Sequence, residues 1–186
     1  MPIKHVLKLF LLHVSLLVIG TCLFILLFHF PLFGGMSILF YRGIMLLVLA
    51  CFIITVLLLV LKRTNFMKIF TYRDIILSLT IIFCFNMLFF THVPVTVDRS
   101  ISVFLLGYMD ENHNKVLTES EITNFFTSKY INENQAMKKR FNEQIVSGDI
   151  AQVGDGYQIT NRGRALVSFF SFIGDLFEVD KKNISP

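Results

Sequence analysis

The sequence predicts a mainly α membrane protein, with three transmembrane helices followed by a C-terminal α+β domain, and three observations carry that prediction. The 186-residue chain is 54% hydrophobic and only 16% charged, with 21 phenylalanines. Three apolar runs of near-bilayer length lie in its first half. The charge is also divided: residues 1–97 hold seven Lys/Arg against one acidic residue, Asp74, while residues 98–186 hold ten against twelve, so the two parts carry +6 and −2. A uniform soluble globule is thereby excluded.

The first run, Leu9–Phe30, has 22 residues without Asp, Glu, Lys or Arg. As a helix rising about 1.5 Å per residue it reaches roughly 33 Å, enough to cross a hydrocarbon core. Lys4 and Lys8 precede it as in a signal peptide, but the run is too long for a signal core and no small-residue cleavage site follows at Phe30–Phe33. The second run is uncharged over Ile44–Leu61, and its apolar stretch reaches back past Arg42; the third, Ile75–Val93, follows Arg73 and Asp74 and contains Asn86. The predicted spans are therefore 9–30, 38–61 and 75–93, with a linker to residue 97.

Flanking cations set the orientation. Lys4, Lys8, Lys62, Arg63, Lys68 and Arg73 fall on one side, against Arg42, Arg99 and the more distant Lys115 on the other. The positive-inside rule then places the N-terminus in the cytoplasm and the C-terminal domain, residues 98–186, outside it. Polar side chains inside the spans are few. Asn86 is a candidate to bridge helices or meet a partner, whereas His13 and His29 read as packing or interfacial groups. Cys22, Cys51 and Cys84 fall one to a span, which gives neither a disulfide framework nor a zinc spacing, and each reads as a small buried hydrophobe.

Beyond the third span, Pro94 and the β-branched residues of His92–Asp98 predict an extended linker. A helix then begins near Arg99, with Ile101, Phe104, Leu105 and Tyr108 on one face. Thr118 and Glu121 form a capping-box pattern ahead of a second helix running to about Tyr130. A third helix over 133–147 ends at Gly148. Ile150–Val153, Gly154–Gly156 and Tyr157–Ile159 read as strand, turn and strand, and Thr160 offers the N-cap of a last helix through Phe177.

This order of helix, helix, helix, hairpin and helix resembles the winged-helix fold over about Asp98–Lys182. The segment Arg140–Ile150 resembles a recognition helix running into the wing, and Gly156–Gly163 resembles the wing's return strand with the start of the next helix. The resemblance implies either nucleic-acid or protein contact. It would place Lys138, Lys139 and Arg140 on the contacting face as an anion or nucleic-acid site, with Arg162 and Arg164 after the wing. The domain's −2 charge and its predicted position outside the cytoplasm both oppose DNA binding.

Two further candidate sites follow from residue types. Asp110, Asn112, Asn114, Thr118 and Glu121 have EF-hand spacing for Ca2+, although Lys115 stands where the loop turn calls for Gly. His92 and Arg99, near the membrane exit with Asn86 below them, form a candidate lipid-headgroup or partner contact. His113 is the only histidine of the C-terminal domain and has no cysteine beside it; Glu119 and Glu121 are a carboxylate pair better explained by capping.

The expected function is a non-enzymatic accessory or assembly subunit in envelope glycan or lipid-linked intermediate handling. Its partners would be membrane lipids and another membrane protein or a second copy of the chain, with no cofactor other than Ca2+ in that loop. The alternatives are a membrane-tethered transcription regulator with a cytoplasmic C-terminal domain, and a small enzyme acting on lipid phosphates. The Phe-rich stretch Ala165–Phe177 is too short to span and reads as a helix packed on its domain with a remainder facing a partner.

Overall fold

The computed structural model describes residues 3–63 and 70–178. Lys68 and the tail cations Lys181 and Lys182 lie outside them. Three long helices, α1 (Ile3–Phe28), α2 (Leu39–Arg63) and α3 (Tyr72–His92), are long and apolar enough to cross a membrane; the third candidate span continues to Arg99. The chain divides into two compact units, Met1–Phe104 and Leu105–Pro186.

In the first unit, α3 starts where it does because Thr71 and Asp74 form a capping box. The Asp74 carboxylate accepts from the Thr71 N–H and hydroxyl at 2.7 Å each, and Thr71 Oγ1 accepts from the Asp74 N–H at 3.3 Å. Apolar burial is concentrated between the helices. One cluster joins Leu16, Ile54, Leu58, Phe70, Ile75 and Ile82; the other joins Phe24, Leu27, Leu46, Leu47, Ala50 and Phe90. Close helix approach depends on two glycines, because a Cβ at Gly43 would lie 2.0 Å from the Phe90 ring and one at Gly20 would lie 2.8 Å from Ile82. Cys22 and Cys84 are exposed on outward helix faces and Cys51 is half-buried, which corrects the expectation that all three are buried. A lipid-facing position asks of a thiol only that it be weakly polar.

The linker is the second correction. Residues Pro94–Arg99 form a short helix, α4, rather than an extended segment. Pro94 occupies its first turn, where a missing N–H costs no hydrogen bond and the fixed φ suits the helix. The break falls instead on Val93, which ends α3 and precedes α4.

The helix α5 (Ile101–Glu111) leads from one unit into the other. Then come α6 (Glu119–Phe125), a π-helical continuation over Phe126–Glu133, α7 (Ala136–Ser147), strands β1 (Ile150–Val153) and β2 (Gly156–Ile159), and α8 (Asn161–Leu176). The predicted second helix thus runs further than Tyr130 and changes its winding at Phe126. Gly148 ends α7 at φ 76°, with its N–H donating to the Ile145 carbonyl and the Asp149 N–H donating to the Gln144 carbonyl, each at 2.9 Å. The antiparallel hairpin pairs Ile150 with Ile159 and Val153 with Gly156. Gly154, at φ 59°, supplies the left-handed residue that a two-residue loop needs.

This second unit has the helix and hairpin order that the sequence predicts, but it has little interior. Among the described residues every buried large apolar side chain belongs to the first unit. The second unit buries Glu143, Asp149, Gly163 and Gly174. Stacked ring pairs hold it together locally, Tyr108 on Phe125 at 3.6 Å and Phe141 on Tyr157 at 4.6 Å between centroids.

Gly43→Ala is expected to destabilise the helical bundle by about 1–3 kcal/mol, because the Phe90 ring must move off the α2 backbone. Thermal unfolding in detergent, followed by far-ultraviolet circular dichroism, measures this. The pair Gly43→Ala with Phe90→Leu is expected to lose less than the two single variants combined.

Candidate functional site

The polar groups inside the bundle are the first place to look for chemistry, since each is expensive in hydrocarbon. His13 Nδ1 and Ser78 Oγ form a 2.7 Å hydrogen bond between α1 and α3, and the His13 ring stands 5.5 Å from that of Phe70. A serine bonded to a histidine is the arrangement of an activated nucleophile. Here Ser78 is only 1% exposed, so its oxygen lies within the bundle rather than on a surface that a substrate reaches. The bond therefore serves as a polar tie between helices, the packing role expected for His13.

Asn86 is fully buried. Its Nδ2 donates to the Ile82 carbonyl at 2.8 Å, within its own helix, while Oδ1 is buried and has no hydrogen-bond partner. The Thr21 hydroxyl is likewise buried without a partner. The expected bridge from Asn86 to another helix is thus not made inside this chain.

At one end of the bundle, Arg42 closes the first loop. Its Nη2 donates to the carbonyls of Phe28 and Phe30 at 3.3 and 3.1 Å, its Nε donates to that of Leu32 at 3.2 Å, and the guanidinium sits 5.7 Å from the Phe28 ring. These carbonyls follow the end of α1, where no intrahelical donor is left for them. Sequence reasoning counted Arg42 only as a topology cation, because no local pattern reveals a cap supplied from the next helix. Beside it, an apolar crevice of about 250 Å³ is lined by Phe24, Phe28, His29, Leu39, Phe90 and Pro94, among others.

The membrane-exit residues do not converge. Asn86 faces the bundle interior, whereas His92 and Arg99 are exposed. His92 turns back on α3, with Nδ1 2.9 Å from the Leu88 carbonyl and 3.1 Å from Thr91 Oγ1. Ser100 is used as a cap, its hydroxyl accepting from the Val103 N–H at 3.1 Å.

The EF-hand-like residues are largely committed to helix ends. Asp110 lies in the last turn of α5; the Asn112 amide donates to the Tyr108 carbonyl at 2.9 Å; and Lys115 closes a turn onto the Asn112 carbonyl at 2.8 Å. Thr118 and Glu121 make a full capping box, in which Glu121 Oε2 accepts from the Thr118 N–H at 2.8 Å and from its hydroxyl at 2.7 Å. Asn114 is exposed in the turn between them. Ca2+ would have to compete for that Glu121 oxygen. Among the described residues, no group of three or more His, Cys, Asp or Glu side chains is gathered to hold a metal.

On α7, Lys138 and Lys139 are exposed, but Arg140 is half-buried and bonds Glu143 at 2.7 Å. Burial works against the Arg140 charge, yet Glu143 and Tyr130 outweigh it and hold the guanidinium pKa above its ordinary value. The Arg140 charge is thus answered within the unit. Arg162 reaches Asp149 as a 3.2 Å ion pair, although its N–H does not aim at that oxygen well enough for a hydrogen bond.

Comparison of the chain with family models, curated proteins and solved structures returns no match.

Two predictions follow from these groups. Asn86→Leu removes a buried carbonyl that lacks a partner, and is expected to leave the bundle as stable or to stabilise it by about 1 kcal/mol; thermal unfolding in detergent reads the sign. At Glu121 the Thr118 hydrogen bonds lower the carboxyl pKa from 4.5, so its contribution to stability is present above that value and disappears as pH falls through the lowered folded value. Glu121→Gln is expected to be less stable than the parent near neutrality. The difference should close on acidification, in melting curves recorded from pH 7 to pH 3.

Proposed function

We propose that this chain is an integral-membrane accessory or assembly subunit whose C-terminal unit is an interaction module for protein or lipid headgroups outside the cytoplasm. One observation supports the reading above others: among the described residues the fully buried large apolar side chains all belong to the bundle, while those of the C-terminal unit are at best partly buried. A free-standing water-soluble domain buries a contiguous core. A unit that leaves Leu166, Phe169, Phe170, Phe172, Leu176 and Phe177 exposed is one whose folding is completed by a surface outside the chain.

The order of helices and hairpin supports a winged-helix-like arrangement used for contact rather than for reading nucleic acid. The contact role fits a domain of net charge −2 in which the Arg140 charge is answered by Glu143. Placement outside the cytoplasm rests on the excess of cations around the N-terminus and the second loop.

Two measurements test the proposal. An alkaline phosphatase fused after Pro186 is expected to be active outside the cytoplasm; a cytoplasmic result overturns that placement and favours the transcription regulator. A photoreactive benzophenone side chain in place of Leu166 is expected to form an adduct, with lipid or with protein, in intact membranes. No adduct of either kind overturns the interaction module.

A further inference from the structure

This inference rests on the reading of the C-terminal unit as a surface completed from outside, and it names what completes it. We infer that α8 lies flat in the bilayer interface with its phenylalanine face among lipid acyl chains.

Helical periodicity sorts α8 into faces. Arg164, Ser168, Ser171 and Asp175 recur at i, i+4, i+7 and i+11 and form a polar stripe. On the opposite side Leu166, Phe169, Phe170 and Phe177 recur at i, i+3, i+4 and i+11, with Phe169 56% and Phe177 70% exposed. Gly163, buried in the first turn, marks where the helix sits on its own unit. That contact is close: a Cβ on Gly163 would stand 2.1 Å from the Asp149 carbonyl oxygen, and the Thr160 hydroxyl donates to the Gly148 carbonyl at 2.8 Å. So α8 is held at its N-terminal turn while Leu166, Phe169 and Phe170 remain exposed along its length.

Three features select the bilayer over a soluble partner or a second copy. The chain delivers this helix to the membrane, since the third candidate span ends at Arg99 and the second unit begins at Leu105. Tethering makes docking intramolecular, at a high effective concentration of lipid surface. The apolar stretch between Arg164 and Asp175 is too short to cross a bilayer and is interrupted by Ser168 and Ser171, the pattern of a helix that lies in the interface rather than through it. Arg164 stands at its N-terminal end, where anionic headgroups meet cations.

The chain has no tryptophan, so a single one is a clean reporter. Full-length Phe169→Trp would be reconstituted in vesicles of phosphatidylcholine and phosphatidylglycerol, and in matched vesicles with brominated acyl chains. Val116→Trp, at a position 98% exposed, is the reference. Blue-shifted emission and about a twofold loss of intensity in brominated vesicles are expected at position 169 and not at position 116. Blue-shifted emission without quenching means that protein covers the face, as in a second copy; this overturns the inference and leaves the interaction module standing. Emission at the wavelength of water-exposed tryptophan overturns both. Equal quenching at positions 169 and 116 overturns α8 as the docked face. Phe177→Trp, on the same face, repeats the measurement if Phe169→Trp lowers the yield of folded protein.

Discussion

The contact of the Phe90 ring with the backbone of α2 at Gly43 organises one end of the bundle. In lipid, apolar side chains gain nothing by leaving their neighbours for one another, so helices associate through close van der Waals fit and through small residues that admit it. Gly43 is such a residue, with room for the ring only because it has no Cβ. Phe90 in turn meets Phe24 edge-on at 5.7 Å and lies 5.6 Å from Phe28, and Phe28 carries the Arg42 guanidinium on its face. Arg42 then satisfies the carbonyls at the end of α1. A single glycine thereby links the fit of α2 and α3 to the closure of the loop between α1 and α2.

Exposure has opposite meanings in the two units. Phe10, Phe52 and Phe85 project from helices long enough to span a bilayer, where an outward apolar side chain is already in its preferred solvent. Phe169 and Phe177 project from a helix too short to span, and water on that face would cost about 25 cal/mol for each Å² of apolar surface. The same residue type thus has two readings, an outward face suited to lipid on a helix that can span and an uncovered apolar face on one that cannot. On the proposed reading of the second unit as an interaction module, its stability is linked to whatever covers that face, as for any fold completed by binding.

Legibility from sequence followed the range of the interaction that decides each feature. The three apolar helices were readable because length and hydropathy are properties of one segment; the Thr118 and Thr160 caps and the hairpin loop at Gly154 were readable because their partners lie within a few residues. Pro94 misled because the same ring that stops a helix from continuing is welcome in the first turn of a new one. The switch to π-helical winding at Phe126 carries no side-chain signature. Arg42 as a cap, the glycine contacts of Gly20 and Gly43, and the outward faces of Cys22 and Cys84 all depend on which helix lies beside which, and hydropathy is nearly uniform around these spans. The candidate sites show the same limit: the Asp110–Glu121 spacing fitted a helix cap better than a metal loop, with Lys115 where that loop calls for Gly, and hydrogen-bond geometry shows Thr118 and Glu121 engaged with each other.

His13 and Ser78 are 65 positions apart, and the same offset separates Thr21 from Asn86, each eight residues further along its own helix. Eight residues carry a position about 80° past two full turns, so the equal offset does not by itself set Thr21 against Asn86, and only the His13–Ser78 bond marks the seam between α1 and α3. A slip of one residue would rotate a helix by about 100° and carry His13 away from Ser78, which makes this seam a determinant of register in a bundle whose apolar faces discriminate little. The buried polar groups of the bundle are unequally satisfied. The His13–Ser78 pair is satisfied by its own hydrogen bond, whereas Thr21 Oγ1 and Asn86 Oδ1 have none. The bundle is therefore pinned by the His13–Ser78 bond and keeps unused hydrogen-bonding capacity at Thr21 and at Asn86.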